Sequence, residues 1–187
     1  MNWDEVIRKT YERSRRLGVP NIDYEDGYVI FSIAYVTAIS FKKLYAIDAG
    51  AGVGFSTIWM IKALKDSGVD GKIYAIEEEP QRFDNLRELV ESYNFQDIVI
   101  PIKGDALKNV KKIEDINFVF IDIDKHLYLD FFNLVKDRVH VGGVVLAHNV
   151  NHRWGTIREF LEKASKDNWK TTIVPTSEGI SISLRIA

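Results

Sequence analysis

The sequence contains no cysteine, no apolar run long enough to span a membrane and almost no charge imbalance. Without cysteine there is no disulfide framework, no thiolate metal site and no cysteine nucleophile. The formal net charge of −2 provides no global field that would attract nucleic acid or an anionic membrane. The first five residues, Met-Asn-Trp-Asp-Glu, are unlike a signal peptide. These absences predict a cytoplasmic protein that does not associate with membranes.

What is present is typical of one globular domain. The chain has 187 residues, of which 46% are hydrophobic and 28% are charged, and it shows no internal repeat, linker or low-complexity segment. We expect residues 1–187 to form a single domain, with residues 1–42 as an N-terminal helical cap and residues 43–187 as an α/β core.

The predicted α/β core contains a glycine-rich segment near residue 50. An apolar run of strand type ends at Asp48, three alternate glycines follow at Gly50, Gly52 and Gly54, and apolar residues at helical spacing continue from Phe55. This pattern predicts a strand, a tight turn and a helix. Such turns let a ligand approach main-chain N–H groups at the start of a helix, although an ordinary strand-to-helix turn has the same pattern.

The glycine spacing narrows the class of ligand. The dinucleotide fingerprint G-x-G-x-x-G needs a small residue at position 55, where this chain has Phe55. An acidic residue before the glycines, here Asp48, suits the cationic end of a ligand better than a pyrophosphate. The segment resembles motif I of the class I S-adenosylmethionine (SAM) methyltransferases, which implies SAM as the cofactor.

Strand and helix patterns alternate along the rest of the chain, which indicates a parallel sheet covered by helices on both faces. Residues 176–179 are too few for a parallel crossover, so the last two strands should form an antiparallel hairpin. The methyltransferase resemblance implies a Rossmann-like, doubly wound sheet of seven strands in the order 3-2-1-4-5-7-6, with the last strand antiparallel. The predicted strands cover residues 44–48, 72–77, 98–102, 117–122, 143–147, 171–175 and 180–186.

Acidic residues follow several of these strands. Glu77 stands about 20 residues after the glycines, where a doubly wound fold places the carboxylate that binds ribose hydroxyls; a solvent-exposed strand end is the alternative. Asp105 is either an adenine contact, an N-cap, or both. The methyltransferase resemblance implies the following cofactor-binding residues: Asp48, Gly50, Ala51, Gly52, Gly54, Phe55, Ser56, Glu77, Gly104, Asp105, Ala106, Asp122 and Asp124.

The end of the fourth strand carries the most specific motif. Residues 120–128 read F-I-D-I-D-K-H-L-Y and resemble the F-I-D-A-D-K-x-x-Y signature of the cation-dependent O-methyltransferases, the family of catechol and caffeoyl-CoA O-methyltransferases. The resemblance implies that Asp122 binds a divalent cation, that Lys125 is the general base, and that Asp124 lies at the SAM or acceptor edge. A charged turn that caps a helix is the alternative interpretation.

The fifth strand departs from that family. Its relatives supply an Asp-Asn pair to the cation, whereas this chain has His148 and Asn149. The predicted metal ligands are therefore Asp122, His148 and Asn149, with His152 as a further candidate. Neutral imidazole is a poor ligand for Mg²⁺ and a good one for Zn²⁺ or Mn²⁺, so the metal has changed, weakened or been lost.

Three functions are compatible with these motifs. The first is transfer of a methyl group from SAM to a hydroxyl of a small, phenolic or catechol-like acceptor, with or without a divalent cation (Mg²⁺, Mn²⁺ or Zn²⁺). The second is methylation of RNA, with the basic residues between Arg8 and Arg16 as a docking surface. The third is SAM binding without catalysis. The resemblance also implies a homodimer.

Overall fold

The computed structural model describes residues 1–151 and 155–187. Within these ranges the helices and strands alternate through most of the chain. In chain order they are α1 (Trp3–Arg16), α2 (Tyr24–Phe41), β1 (Lys43–Ala49), α3 (Phe55–Ser67), β2 (Asp70–Glu77), α4 (Pro80–Ser92), β3 (Val99–Lys103), α5 (Ala106–Asn109), β4 (Ile116–Ile121), α6 (Tyr128–Val135), β5 (Val139–His148), α7 (Thr156–Lys163), β6 (Trp169–Val174) and β7 (Ile180–Arg185).

The strands form one seven-stranded sheet in the order β3-β2-β1-β4-β5-β7-β6. Strands β1 to β5 pair in parallel, and β7 runs antiparallel to both β5 and β6. The predicted fold and strand order are therefore confirmed, including the reversed hairpin. All five parallel strands end at the same edge of the sheet, where residues from distant parts of the sequence meet.

The two faces of the sheet bury separate apolar cores, because successive side chains of a strand point to opposite faces. In β1, Leu44 and Ala46 pack with α1 to α4, while Ile47 and Ala49 pack with α5 to α7. Strand β4 is buried along its whole length. This central position fixes the ends of β1 and β4 beside each other.

Helices α1 and α2 cover one face of the sheet through an aromatic cluster at the start of α3. The rings of Tyr11, Tyr24 and Phe55 lie 5.0–5.7 Å apart, and Phe55 also contacts Trp59. Helix α2 begins with a capping box in which Asp23 and Asp26 exchange side-chain and backbone hydrogen bonds. The capping box points Asp26 inward, toward the carboxyl edge of the sheet.

Helix α2 runs from Tyr24 to Phe41 and begins at its capping box. Among the strands, β5 differs most from its predicted bounds. Strand β5 begins at Val139 rather than at residue 143. Its pairing with β4 shifts register between Ile116 and Phe118 of β4. Among residues 1–151 and 155–187, no helix combines the length and apolarity needed to cross a membrane.

Candidate functional site

A cavity of about 530 Å³ opens at the carboxyl edge of the sheet. This edge is where open α/β sheets bind their ligands. Its wall contains most of the residues that the sequence motifs predict, namely Gly50, Gly52, Glu77, Gly104, Asp105, Ala106, Asp122, Asp124, Lys125, His148 and Asn149. The structure thus brings the glycine loop, the acidic strand ends and the D-x-D-K motif to one site.

The glycine loop is held close to the end of β4. The N–H groups of Gly50 and Ala51 both donate to the Ile76 carbonyl at 3.0 Å, and Asp122 N–H donates to Ala49 O at 2.8 Å. Gly50 has φ +87°, and a Cβ at this position would collide with the Asp122 carbonyl. Glycine is required here because both the conformation and the close approach exclude a side chain.

Glu77 is the buried carboxylate of the site. Its Oε2 accepts from the Gly52 N–H at 2.8 Å, and its Oε1 accepts from the Glu79 N–H at 2.9 Å. Burial raises the pKa of Glu77, although these two N–H bonds oppose the rise. Each carboxylate oxygen has a second lone pair, so Glu77 can accept further hydrogen bonds from the hydroxyl groups of a ligand in the cavity.

Asp105 lines the cavity at the start of α5. Its Oδ1 accepts from the N–H groups of Leu107 and Lys108, which confirms the predicted N-cap. Gly104 N–H donates to the Glu77 carbonyl at 2.9 Å and joins this turn to the end of β2. The cap leaves the Asp105 side chain in the cavity wall, so capping and ligand contact are compatible.

Asp48 lies beneath the glycine loop, outside the cavity wall. It is fully buried, and its Oδ2 accepts from the hydroxyls of Ser56 and Thr57 at 2.8 and 2.6 Å. Burial raises the pKa of Asp48 to about 7 against these hydrogen bonds. The side chain therefore ties the strand to the start of α3, and it follows Leu44 and Ala46 on the face that α3 covers.

Four more predicted residues, Ala51, Gly54, Phe55 and Ser56, belong to the loop and the start of α3 and are not among the residues that line the cavity. Three lining residues, Val19, Pro20 and Asn21, come from the connection between α1 and α2, and two others are Arg82 and Glu178. The sequence motifs did not indicate these five residues. Residues that reach a site through tertiary packing carry no local sequence pattern.

Lys125 projects into the cavity from the short 3₁₀ turn after β4. Its Nζ lies 2.9 Å from Asp122 Oδ1 and 3.0 Å from the Tyr128 hydroxyl. The fully buried Tyr128 in turn donates to the His148 carbonyl at 3.1 Å. The Lys125 side chain is thus held by two partners and remains 39% exposed, so it is accessible to a ligand.

His148, at the end of β5, lies between two carboxylates. Its Nε2 is 3.1 Å from Asp26 Oδ2, and its Nδ1 is 3.5 Å from Asp122 Oδ2. Asp26 is fully buried in the first turn of α2, and the His148 side chain is 4% exposed. The sequence motifs did not single out Asp26, whose contact with His148 spans 122 positions.

The two carboxylates determine the charge of His148. Burial alone would lower the pKa of His148, but Asp122 and Asp26 outweigh burial and raise this pKa to about 9. Burial would likewise raise the pKa values of Asp26 and Asp122, and contact with His148 holds both below the ordinary value. At neutral pH the arrangement is carboxylate, imidazolium, carboxylate, with the Lys125 side chain beside Asp122.

The predicted metal ligands Asp122, His148 and Asn149 all line the cavity. A histidine ligates a metal through a neutral ring nitrogen, and among the described residues Nδ1 of His148 has no hydrogen-bond partner. The Asn149 amide donates to Glu178 at 3.2 Å. Among the described residues, no group of three His, Cys, Asp or Glu side chains is arranged to hold a metal ion. His152, the further candidate, lies outside the described residues.

The basic residues of α1 are largely paired with acids. Arg8 pairs with Glu12 at 2.7 Å, Lys9 pairs with Glu5 at 2.6 Å, and Arg13 contacts Glu88 of α4. Ion pairing within and beside the helix lowers the positive field that an RNA backbone would meet. The geometry of α1 therefore does not favour the RNA-docking alternative.

A doubly wound sheet of this strand order, with a glycine-loop cavity at its carboxyl edge, defines a Rossmann-like protein that binds a small cofactor. The family described as "Methyltransferase domain" matches residues 47–150, which is more than half of the chain. The chain belongs to this methyltransferase family, as the glycine and D-x-D-K motifs predict.

Individual relatives carry out different transfers. The chain is 28% identical to a caffeoyl-CoA O-methyltransferase of Pinus taeda over 55% of this chain and 41% of the relative. It is also 28% identical to a probable cobalt-precorrin-6B C(15)-methyltransferase (decarboxylating) of Sulfolobus acidocaldarius, over 59% of this chain and 58% of the relative. The chain thus spans about half the length of these curated relatives.

The fold has close structural counterparts. The O-methyltransferase TomG from Streptomyces achromogenes, solved in complex with SAM, superposes with a TM-score of 0.82 at 19% identity. The superposition covers 98% of this chain and 90% of TomG. At this identity the likeness establishes the shared fold alone.

Proposed function

We propose that this protein transfers the methyl group of SAM to a hydroxyl of a small, phenolic acceptor. The observation that carries the proposal is that Glu77, Asp105 and Lys125 line the same cavity. The first two residues suit an adenosine group, and the lysine suits an ionisable hydroxyl. The name of the Pinus taeda relative, a caffeoyl-CoA O-methyltransferase, supports oxygen as the atom that receives the methyl group.

The cofactor-binding half rests on the loop and the strand ends. Glu77 accepts hydrogen bonds from the ribose hydroxyls, and Asp105 accepts a hydrogen bond from the exocyclic amine of adenine. Main-chain groups of Gly50 and Gly52 line the same cavity. Gly104, Ala106 and Asp124 complete this wall. Asp48 acts indirectly, because it anchors Ser56 and Thr57 and thereby holds the glycine loop in place.

The chemistry requires a deprotonated acceptor oxygen. A phenol has a pKa near 10 and is a poor nucleophile at neutral pH. SAM supplies an electrophilic methyl group on a sulfonium when bound. Lys125, once it has released a proton to solvent, would take the hydroxyl proton as the oxygen bonds to the methyl carbon and the carbon–sulfur bond breaks, with its electron pair left on sulfur. The cavity contributes mainly the alignment of oxygen, carbon and sulfur.

We further propose that residues 1–187 act as one domain, with residues 1–42 as the helical cap, and that two copies associate. Support for a homodimer comes from exposed apolar residues on the outer face of α2. Tyr28 and Val36 are each 60% exposed, and Ile39 is 48% exposed. Sedimentation equilibrium should give twice the monomer mass of 21.5 kDa, and Val36→Glu should shift it to monomer. A wild type that remains monomeric at all concentrations would contradict the dimer.

Isothermal titration with SAM tests the proposed function directly. We expect one SAM per chain, and we expect Glu77→Gln to weaken binding by about tenfold or more, since a hydrogen bond to a charged group contributes about 1.5–3 kcal/mol. Glu91→Gln, on the exposed end of α4, is the matched control. Methyl transfer to catechol is then monitored by measuring how fast the demethylated cofactor forms. Absence of saturable SAM binding would refute the proposal.

A further inference from the structure

We propose that Tyr128, the last residue of the D-x-D-K-x-x-Y motif, is a positioning residue for Lys125 and holds its amine from outside the cavity. The inference rests on the proposed function, because Lys125 is the proposed base. It deepens that function by giving the tyrosine of the motif a role. It is drawn from the two hydrogen bonds that the Tyr128 hydroxyl makes, one to Lys125 and one to His148.

The first step is that Tyr128 has a fixed position of its own. Its side chain is fully buried at the start of α6, and its ring packs edge to face against Phe160 of α7, with the ring centroids 5.7 Å apart. Aromatic pairs prefer this T-shaped arrangement. The hydroxyl donates to the carbonyl of His148, the last residue of β5, at 3.1 Å. A helix and a strand thus hold Tyr128 through contacts that do not involve Lys125.

The second step is the direction of the hydrogen bonds. A phenolic hydroxyl has one proton, and the proton of Tyr128 is donated to the His148 carbonyl. The hydroxyl oxygen therefore acts as an acceptor toward Lys125, whose Nζ donates to it at 3.0 Å. Nζ also donates to Asp122 Oδ1 at 2.9 Å, whereas its contact with the Ile123 carbonyl is longer, at 3.4 Å. The two shorter hydrogen bonds, to a carboxylate and to a hydroxyl, define the position of the amine.

The third step is that Tyr128 acts through Lys125. The residues that line the cavity include Lys125 but not the fully buried Tyr128, so the tyrosine does not touch a ligand there. The neutral amine that the proposed function requires has two N–H groups and one lone pair. The hydrogen bonds to Asp122 and Tyr128 use both N–H groups, which leaves the lone pair to take the proton of the acceptor. Without the Tyr128 hydroxyl, one N–H group loses its partner and the amine is free to turn.

The test removes the hydroxyl alone. Tyr128→Phe keeps the buried ring, and it deletes only the hydrogen bonds to Lys125 and His148. Crystal structures of wild type and Tyr128→Phe, grown without SAM or acceptor, should show Lys125 Nζ displaced by about 1 Å or more in the variant. The kcat for methyl transfer to catechol should fall by about 10- to 100-fold, because a misplacement of about 1 Å can cost about 10²-fold. The Kd for SAM should not change, because Tyr128 does not line the cavity.

A double-mutant cycle shows whether the loss of activity passes through the lysine. If Tyr128 positions Lys125, Tyr128→Phe should lower kcat in the wild-type background but leave the residual kcat of Lys125→Met unchanged, because the two residues act as a pair. A further fall of kcat in the Lys125→Met background would show that Tyr128 acts independently of Lys125, and it would overturn the inference.

Thr171→Val is the matched control. Like Tyr128, Thr171 donates its side-chain hydroxyl to a main-chain carbonyl, that of Ala164, but Thr171 lies on β6 and does not line the cavity. Thr171→Val should lower the melting temperature, as Tyr128→Phe does, without changing kcat. The crystals contain neither SAM nor acceptor, so they decide the inference even if methyl transfer fails. An unmoved Lys125 Nζ in Tyr128→Phe, or an equal fall of kcat in Thr171→Val, would overturn it.

Discussion

Replacement of His148 by alanine is expected to lower the free energy of unfolding by about 3–5 kcal/mol, the range observed when one partner of a buried ion pair is removed. The variant leaves the carboxylate of Asp26, which is fully buried, without its cationic partner. Urea unfolding followed by circular dichroism measures the loss through the midpoint, provided that the denaturant slope is unchanged.

The loss should depend on pH in a predictable direction. The pKa of His148 is raised to about 9 from 6.5, so its stabilisation is fully present below pH 6.5 and disappears as the pH rises through 9. The pKa values of Asp26 and Asp122 are lowered from 3.8, so their stabilisation is present above that value and is lost as the pH falls below it. The gap between wild type and His148→Ala is therefore widest between about pH 4 and 6.5.

Two further variants identify the source of the loss. The double variant Asp26→Asn/His148→Ala also removes the unpaired carboxylate. Its free energy of unfolding should be higher than that of His148→Ala by about 1 kcal/mol or more, because the effects of substituting two contacting residues are not additive. His140→Ala removes an exposed histidine that pairs with Asp115, and such exposed pairs contribute about 0–1 kcal/mol. Equal stability losses for His148→Ala and His140→Ala would show that the buried network does not stabilise the fold.

The topology and the carboxyl edge of the sheet were predictable because their signals are local. Strand and helix periods follow from adjacent residues, and the ends of parallel strands must meet at one edge, so Glu77, Asp105 and Asp122 were expected together. The short connection after β6 fixed the reversed hairpin. These predictions depend on chain geometry, and the structure confirms them.

The contacts of the site were less predictable, because they depend on which way each side chain points. Asp48 was expected to face the ligand, but strand alternation places it on the same face as Leu44 and Ala46, where it meets the hydroxyls of Ser56 and Thr57. Asp26 has the local signature of a capping box only. Its contact with His148 arises from the packing of α2 across the sheet, for which no sequence motif exists.

Replacement of Lys125 by methionine is expected to lower kcat/KM for methyl transfer to catechol by about 10²–10⁴-fold, the usual contribution of a positioned general base. The Kd for SAM should stay within a few fold of the wild-type value, because Lys125 contacts Asp122 and Tyr128 and makes no hydrogen bond to Glu77 or Asp105, the residues proposed to hold the adenosine group. Lys163→Met is a matched control. Lys163 has nearly the same side-chain exposure, 38% against 39%, and also pairs with an aspartate, but it lies on α7.

Lys125→Arg distinguishes proton transfer from simple charge. A guanidinium keeps the positive charge and the contact with Asp122, but it does not release its proton in proteins and so cannot accept one from a phenol. If Lys125 is the base, the arginine variant should lose nearly as much activity as the methionine variant. An arginine variant with near wild-type kcat would mean that charge alone holds the acceptor oxygen as a phenolate. The assignment of Lys125 as the base would then be wrong, although the cofactor site would be unaffected.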